Sequence, residues 1–571
     1  MTSLVVDQPA QETDEPPRRK TFSHWWSTGT VLAIFAFLAW QRRWVCDDGL
    51  IVLRTVENLL HGDGPVFNAG ERVEANTSTL WTYVLALGGL QPWLRLEWVS
   101  VVVGLVSAVG GLFFGLDGAR RLFPGRRVVP AGGLVVLALP PFWDYATSGL
   151  ETGLVTLWLA LVWWQLVRHA TGGPVRVWPT VLLIGLGPLV RPEFALVSAI
   201  AFAALIAVVR PGWRRALGLL VLAGVLPVAY QVFRMGYYGL ITPNTALAKE
   251  ATQARWDRGW FYLVDFFGSY WLLVPVALLL AAAVLVLRSL ERKTLVVALT
   301  PVVAGILLGL YVTRVGGDYM HARMLLPVLT CLLLPIMVVP LTRWTTPLVL
   351  AVVAWTVTSA VGLRPASAEQ HKIGAYGISD ARVFWVDSTH NEHPITAEDA
   401  GLIPGYLPEL AAARAKVTGP AVAVSVNGTW VLYPATHDVV SSPGALGFPG
   451  MLLPRDETVI DDLGLAGPLA AHSLPITGRP AGHQKLLSVA WVIADAGVGT
   501  PEQLSAAGNE LVWSKEILAA RIALARPEIR EMLDSVRAPL TFGRFWDNLV
   551  HSVGRSRLRF NPHPLDAQFG G

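Results

Sequence analysis

The sequence predicts a polytopic α-helical membrane protein carrying a C-terminal soluble α/β domain, and three observations predict it. Apolar blocks of about twenty residues, the length that crosses a bilayer, recur from residue 22 to about 363. Only 15% of the 571 residues are charged, against about 25% in a soluble globular protein. From about residue 364 the composition turns mixed, with short apolar runs such as AVAVSV between Gly/Pro-rich turns, which suggest strands.

The first 21 residues, with Pro16, Pro17, Arg18, Arg19 and Lys20, are polar and read as a disordered cytoplasmic tail before an uncleaved first span. Spans are expected at about 24–43, 98–118, 129–146, 151–167, 178–190, 194–210, 216–235, 268–287, 294–312, 324–341 and 346–363, about eleven in all. With the tail inside, the inner loops carry Arg120, Arg121, Arg126, Arg127, Arg168, Arg176, Arg210, Arg214, Arg215, Arg288, Arg292, Lys293 and Arg343. The two short outer loops hold only Arg191, so the positive-inside rule supports this orientation. The net charge of +4 therefore reflects topology and gives no reason to expect nucleic-acid binding. Residues 22–363 then form the transmembrane domain, 44–97 its first outer loop, and 364–571 an outer, periplasmic C-terminal domain. The stretch TLWTYVLALGGLQPWL (79–94) is placed as a helix at the outer interface, because counting it as a span would put the RRLFPGRR loop outside. Cys46 and Cys331 are far apart, so no disulfide framework is indicated.

On this topology the unusual polar motifs share one side: CDDGL, the 61–81 loop, SGLETGL, RPEF, TPNTALAKE and GGDYMHARMLLP. Ionisable groups near a membrane core are costly and commonly mark a site. Each has a plainer reading. Asp48 can N-cap the stretch 49–60, Ser148 and Glu151 can form a capping box, Asn244 and Asp318 can cap helices, and Arg191 can snorkel. Capping accounts poorly for the cations. Arg191, Lys249, His321 and Arg323 lie near helix starts, where the macrodipole disfavours positive charge. An anion among them resolves this, since free helical N–H groups already favour one. These four are the expected ligands of a phosphate at the membrane surface. Asp47, with Asp48 orienting or assisting it, is the expected catalytic carboxylate, able to accept a proton from a hydroxyl or to attack a donor carbon. Glu151, Glu74, Asn76, Asn244, Asp318 and Trp81 are the expected sugar or acceptor contacts. No ligand set demands a metal for the chemistry, while Asp461, Asp462 and nearby turns would suit a structural Ca²⁺. The plainer reading of that acidic pair is a strand end or a helix cap.

The segment CDDGLIVLRTVENLLHGDGPVFNAGERVEANTSTLW, followed in order by SGLE, TPNTALAK, GGDYMHAR and VIDDLGLAGPLA…GRPAGHQK, resembles the GT-C glycosyltransferases. Within them it resembles the AftB family, the terminal β-(1→2)-arabinofuranosyltransferases of mycobacterial-type cell envelopes. The resemblance implies a GT-C fold at the plasma membrane. It also implies decaprenyl-phosphoryl-arabinofuranose as donor and the non-reducing ends of arabinan, in arabinogalactan or lipoarabinomannan, as acceptor. It implies net retention as well, because donor and product are both β-linked. Retention leaves a double displacement and a front-face attack both open.

Beside a structural envelope-assembly protein whose outer domain binds glycan without catalysis, two rivals follow from the residues. One is a GT-C transferase for another polyprenyl-phosphate sugar such as mannose, which donor assays would separate. The other is a non-enzymatic lipid-linked sugar transporter. That would place ionisable groups near the midplane, whereas here the spans are nearly charge-free at their centres.

Overall fold

A computed structural model describes residues 23–569 apart from 174, 364–375, 403–406, 427–428, 443, 478 and 480–481. The expected N-terminal tail lies outside the described residues.

The apolar blocks fold as helices, but not all as simple spans. Among the described residues, five are long and apolar enough to cross a membrane: Leu96–Arg121, Pro192–Val209, Trp213–Tyr238, Arg292–Val315 and Thr345–Gly362. A sixth arises if Trp256–Ser269 and Leu273–Leu287, bent by 86° at their junction, are one span. Among the described residues there are also three shorter apolar helices, Trp26–Gln41, Val177–Val190 and Arg323–Ile336. The block at 129–146 is interrupted at Leu139, where extended backbone precedes the Pro140-Pro141 start of a second short helix. Proline disfavours α geometry in the residue before it, which is why this block breaks there. The helix Thr79–Gly89 has 11 residues, about 16 Å at 1.5 Å per residue, too short to cross.

Helices Leu96–Arg121 and Thr152–Ala170 pack closely against each other, and glycines allow it. Gly153 and Gly111 face backbone of the partner helix so closely that an added methyl would overlap the Gly104 carbonyl and the Thr156 backbone. Such small-residue contacts replace the hydrophobic driving force that helices lack in lipid. Gly153→Ala is expected to force these backbones apart and cost about 1–3 kcal/mol, read as a lower unfolding temperature in detergent.

The C-terminal part is mixed α/β. Its four-stranded sheet runs in the spatial order Thr429–Pro434, Ala421–Val426, Val439–Ser442, Thr458–Asp461. The first pair is antiparallel and the other two are parallel. Helices such as Val489–Ala496 and Ser514–Leu524 bury one of its apolar faces around Trp491, Tyr433 and Ile493, and the other face packs with Ile51 and Phe67. The AVAVSV run is thus a strand, and Asp461 ends the last one. This domain docks onto the helix Asp47–His61. Fully buried Arg54 donates to the Leu453 and Pro454 carbonyls, and Asn68 exchanges two hydrogen bonds with the Val459 backbone.

Candidate active site

The CDDGL motif opens a helix, but neither aspartate caps it. Helix Asp47–His61 is capped by Cys46, whose Sγ accepts from the Gly49 N–H. Gly49 is needed because the first turn presses on the Ser148-Gly149 backbone, where Cys46 N–H donates to the Ser148 carbonyl at 3.0 Å. The two carboxylates consequently leave the helix start in different directions.

Asp47 turns toward the C-terminal domain. Its Oδ2 accepts from Leu446 N–H and its Oδ1 from Phe448 N–H, both at 2.9 Å. Gly447, between them, passes so close to the Asp47 carbonyl that a side chain there would collide with it. Burial pushes the Asp47 carboxyl up to about 6, against the downward pull of these backbone N–H groups.

Asp48 turns toward the cations. Its Oδ2 lies 3.5 Å from the Arg323 guanidinium and 3.9 Å from Lys249 Nζ. Arg323 also reaches Asp318 at 3.3 Å and is nearly buried. Burial raises the Asp318 carboxyl, and Arg323 and Lys249 together outweigh it, leaving the group below its usual range. Three distant segments thus meet at one carboxylate. The GGDYMHAR loop is held in place by a bridge to the 376–380 segment, where Ser379 N–H donates to the Tyr319 carbonyl and His321 N–H to that of Ser379.

A cavity of about 330 Å³ opens beside them, within the roughly 300–1,000 Å³ of small-molecule sites. Asp47, Asp48, Lys249 and Tyr319 line one side of it; Phe384 and Trp385 add an aromatic wall. The C-terminal domain supplies the rest, including Asp461, Arg479 and His483. His483 stands edge-on to Tyr319, with ring centroids 5.0 Å apart. Burial pushes the Asp461 carboxyl up to about 6, while the Leu465 and Ala466 N–H groups that it accepts pull the other way.

With this geometry in place, comparison with known proteins places the chain. Residues 434–568 match the AftB family C-terminal domain. The chain is 37% identical to the terminal β-(1→2)-arabinofuranosyltransferase of Mycobacterium tuberculosis, covering 95% of this chain and 96% of that protein. It is 35% identical to the enzyme of the same name from Corynebacterium glutamicum, covering 94% of this chain and 88% of that one. The chain belongs to the terminal β-(1→2)-arabinofuranosyltransferase (AftB) family. No solved structure matches.

Several residues singled out in the sequence of this arabinofuranosyltransferase lie away from the cavity. Arg191 is held between Glu151 and Glu193, the latter at 2.5 Å; with both carboxylates engaged, it borders only a small neighbouring space shared with Arg323. The expected capping box at 148–151 does not form, since helix Thr152–Ala170 has no side-chain cap and Ser148 Oγ accepts from Leu150 N–H. His321 pairs through Nδ1 with Asp265 at 2.5 Å rather than with the acids of the cavity. Glu74 is bound by Arg234 and Tyr230 from the helix Trp213–Tyr238, and Asn76 donates to Thr82. Asn244 does not cap its helix with its side chain: it donates to the Gly464 and Leu465 carbonyls and fastens the C-terminal domain. Trp81 is fully buried with its Nε1 on the Gly149 carbonyl, so its ring is core and presents no face to a sugar. Among the described residues no group of three or more His, Cys, Asp or Glu is arranged to hold a metal ion. Phe384, Trp385, Arg479 and His483 were missed, because no local pattern in the sequence shows which far segments share a cavity wall.

Asp47 fits a docking role, and that role is testable. In Asp47→Asn an amide NH₂ replaces one accepting oxygen and opposes a backbone N–H. The domain contact is expected to weaken by about 1–3 kcal/mol, seen as a lower unfolding temperature and faster proteolytic cutting between the two halves.

Proposed function

We propose that this protein transfers arabinofuranose from decaprenyl-phosphoryl-arabinofuranose to the non-reducing ends of arabinan, forming the terminal β-(1→2) linkage in arabinogalactan and lipoarabinomannan. The reading includes a GT-C architecture of about eleven spans, some broken or short, in the plasma membrane. The cavity and the C-terminal domain lie on its outer face, as the arginine distribution supports. One observation carries the reading: near-full-length similarity to two arabinofuranosyltransferases, coinciding with a cavity lined by Asp48 and Lys249 in which the Asp48 carboxylate also meets Arg323 of the neighbouring space.

Asp48, rather than Asp47, is the reacting carboxylate in this proposal. A donor phosphate taking its place between Lys249 and Arg323 leaves the anomeric carbon beside the displaced carboxylate. One Asp48 oxygen attacks that carbon as its bond to phosphate oxygen breaks. The polyprenyl phosphate leaves with the electron pair, its charge held by Lys249 and Arg323. The acceptor 2-hydroxyl then attacks the same carbon and releases the carboxylate, and its proton passes to the departing phosphate. Two inversions give retention. Asp318 keeps Arg323 oriented, and the aromatic wall at Phe384 and Trp385 suits a sugar face.

The test is transfer by purified protein from polyprenyl-phospho-arabinofuranose to a synthetic arabinan, with linkage and anomer analysis of the product. A β-(1→2) arabinofuranosyl cap is the expected result. Equal use of polyprenyl-phospho-mannose, or no transfer with a folded protein, would overturn the proposal.

A further inference from the structure

The last long helix of the chain, Phe542–Arg557, has two unlike faces. The inner face carries Asn548, Ser552, Arg555 and Ser556, all buried. Arg555 there meets Glu531 and Asp547 at 2.7 and 2.6 Å. The outer face repeats at helical spacing and is apolar up to its last turn, where the exposed Arg557 joins it: Phe542 is 84% exposed, Trp546 58%, Val550 55% and Val553 41%. A soluble domain rarely leaves a whole apolar helix stripe open to water.

Its neighbour indicates what covers that stripe. The helix packs on the end of the span Trp213–Tyr238, with Phe545 seated on Gly236 and Asn548 donating to the Gly236 carbonyl at 3.1 Å. This span is bare along much of its length, Leu220, Val221, Val225 and Val228 all being exposed. Its last turns carry the ring cluster Tyr230, Phe233, Tyr237 and Tyr238. Tyr238 is buried and Tyr230 holds Glu74, whereas the partly exposed Phe233 and Tyr237 are aromatics of the kind that mark the level of the lipid headgroups at span ends. Helix Phe542–Arg557 meets the span at that level, so its open stripe continues a lipid-facing surface.

We infer that helix Phe542–Arg557 lies in the plane of the membrane interface and sinks Phe542, Trp546, Val550 and Val553 into the headgroup–acyl boundary. The C-terminal domain is thereby fixed in height and tilt above the bilayer through a contact separate from its docking on the helix Asp47–His61. The partner is the lipid surface itself, recognised by an apolar stripe with tryptophan at its centre.

The test uses the full chain reconstituted in phosphatidylcholine–phosphatidylglycerol vesicles. Both native cysteines are buried, so Trp546→Cys accepts an environment-sensitive NBD label selectively. Val550→Cys, one turn on, gives the same readout should the first variant fold poorly. Lipids carrying doxyl at acyl carbon 5 are expected to quench the label at least about twofold more than those carrying it at carbon 12, with little quenching by aqueous iodide, as burial of about 5–10 Å requires. Free quenching by iodide with no response to doxyl lipid, at either position, would overturn the inference.

Discussion

Asp48→Asn is expected to lower arabinofuranosyl transfer on the order of 10²–10⁴-fold while leaving the unfolding temperature nearly unchanged. The neutral amide keeps the shape of the side chain and can still accept from Arg323. It neither attacks a carbon nor takes a proton. Asp48 is half-buried, and its ion-pair partners among the described residues are Lys249 and Arg323, so the fold loses little. Asp47→Asn should give the opposite pattern, with a clear loss of stability and a smaller loss of rate, because its oxygens are spent on the Leu446 and Phe448 N–H groups. Measuring turnover and thermal unfolding side by side for the two variants separates the roles. If Asp48→Asn retains activity while Asp47→Asn is stable and inactive, the assignment reverses. A fluorinated donor offers a direct check, since an arabinosyl ester on the peptide holding Asp48 should accumulate and be seen by mass spectrometry.

The sequence carried much of this site, and the reason is physical. Charged groups are so costly in apolar surroundings that those retained beside spans had to be partnered or functional. That argument brought Asp48, Lys249, Asp318 and Arg323 to one place, and the structure brings them within ion-pairing distance. It failed where a cation's partner could not be foreseen. Arg191 looked free for an anion, yet Glu151 and Glu193 flank it in space. Glu74 looked like a sugar ligand because its partner, Arg234, lies on a long apolar helix that gave no sign of reaching it. Apolar blocks were legible as helices from composition, but length alone did not reveal the break at Leu139 or the 86° bend after Ser269. The cavity wall from the C-terminal domain was invisible, since it depends on how strand ends and loops meet residues four hundred positions away.

Lys249 owes its position to its neighbour, and removing that neighbour's partner should be the second large effect. Glu250 holds a left-handed backbone conformation, φ 46°, which a non-glycine residue adopts only when its surroundings enforce it. The enforcement comes from the C-terminal domain. Fully buried Lys485 donates to the Glu250 carboxylate and to the Ser473 carbonyl, and Arg559 stands 3.3 Å from the same carboxylate oxygen. In Lys485→Met a buried carboxylate and a buried carbonyl lose their main donor. Breaking such a pair costs about 3–5 kcal/mol, with Arg559 keeping the loss toward the lower end. Relaxation of Glu250 should also turn Lys249 away from Asp48, so KM for the lipid donor is expected to rise while KM for arabinan stays constant. Two controls separate positioning from general damage. In a Lys249→Ala background, Lys485→Met should raise donor KM no further, because the cation it positions is gone. The double variant Glu250→Gln with Lys485→Met should regain part of the stability, since the buried carboxylate is gone and only the partly exposed Arg559 keeps an unpaired charge, without regaining donor affinity. Equal rises in both KM values, or full additivity with Lys249→Ala, would show that the buried pair supports the fold alone.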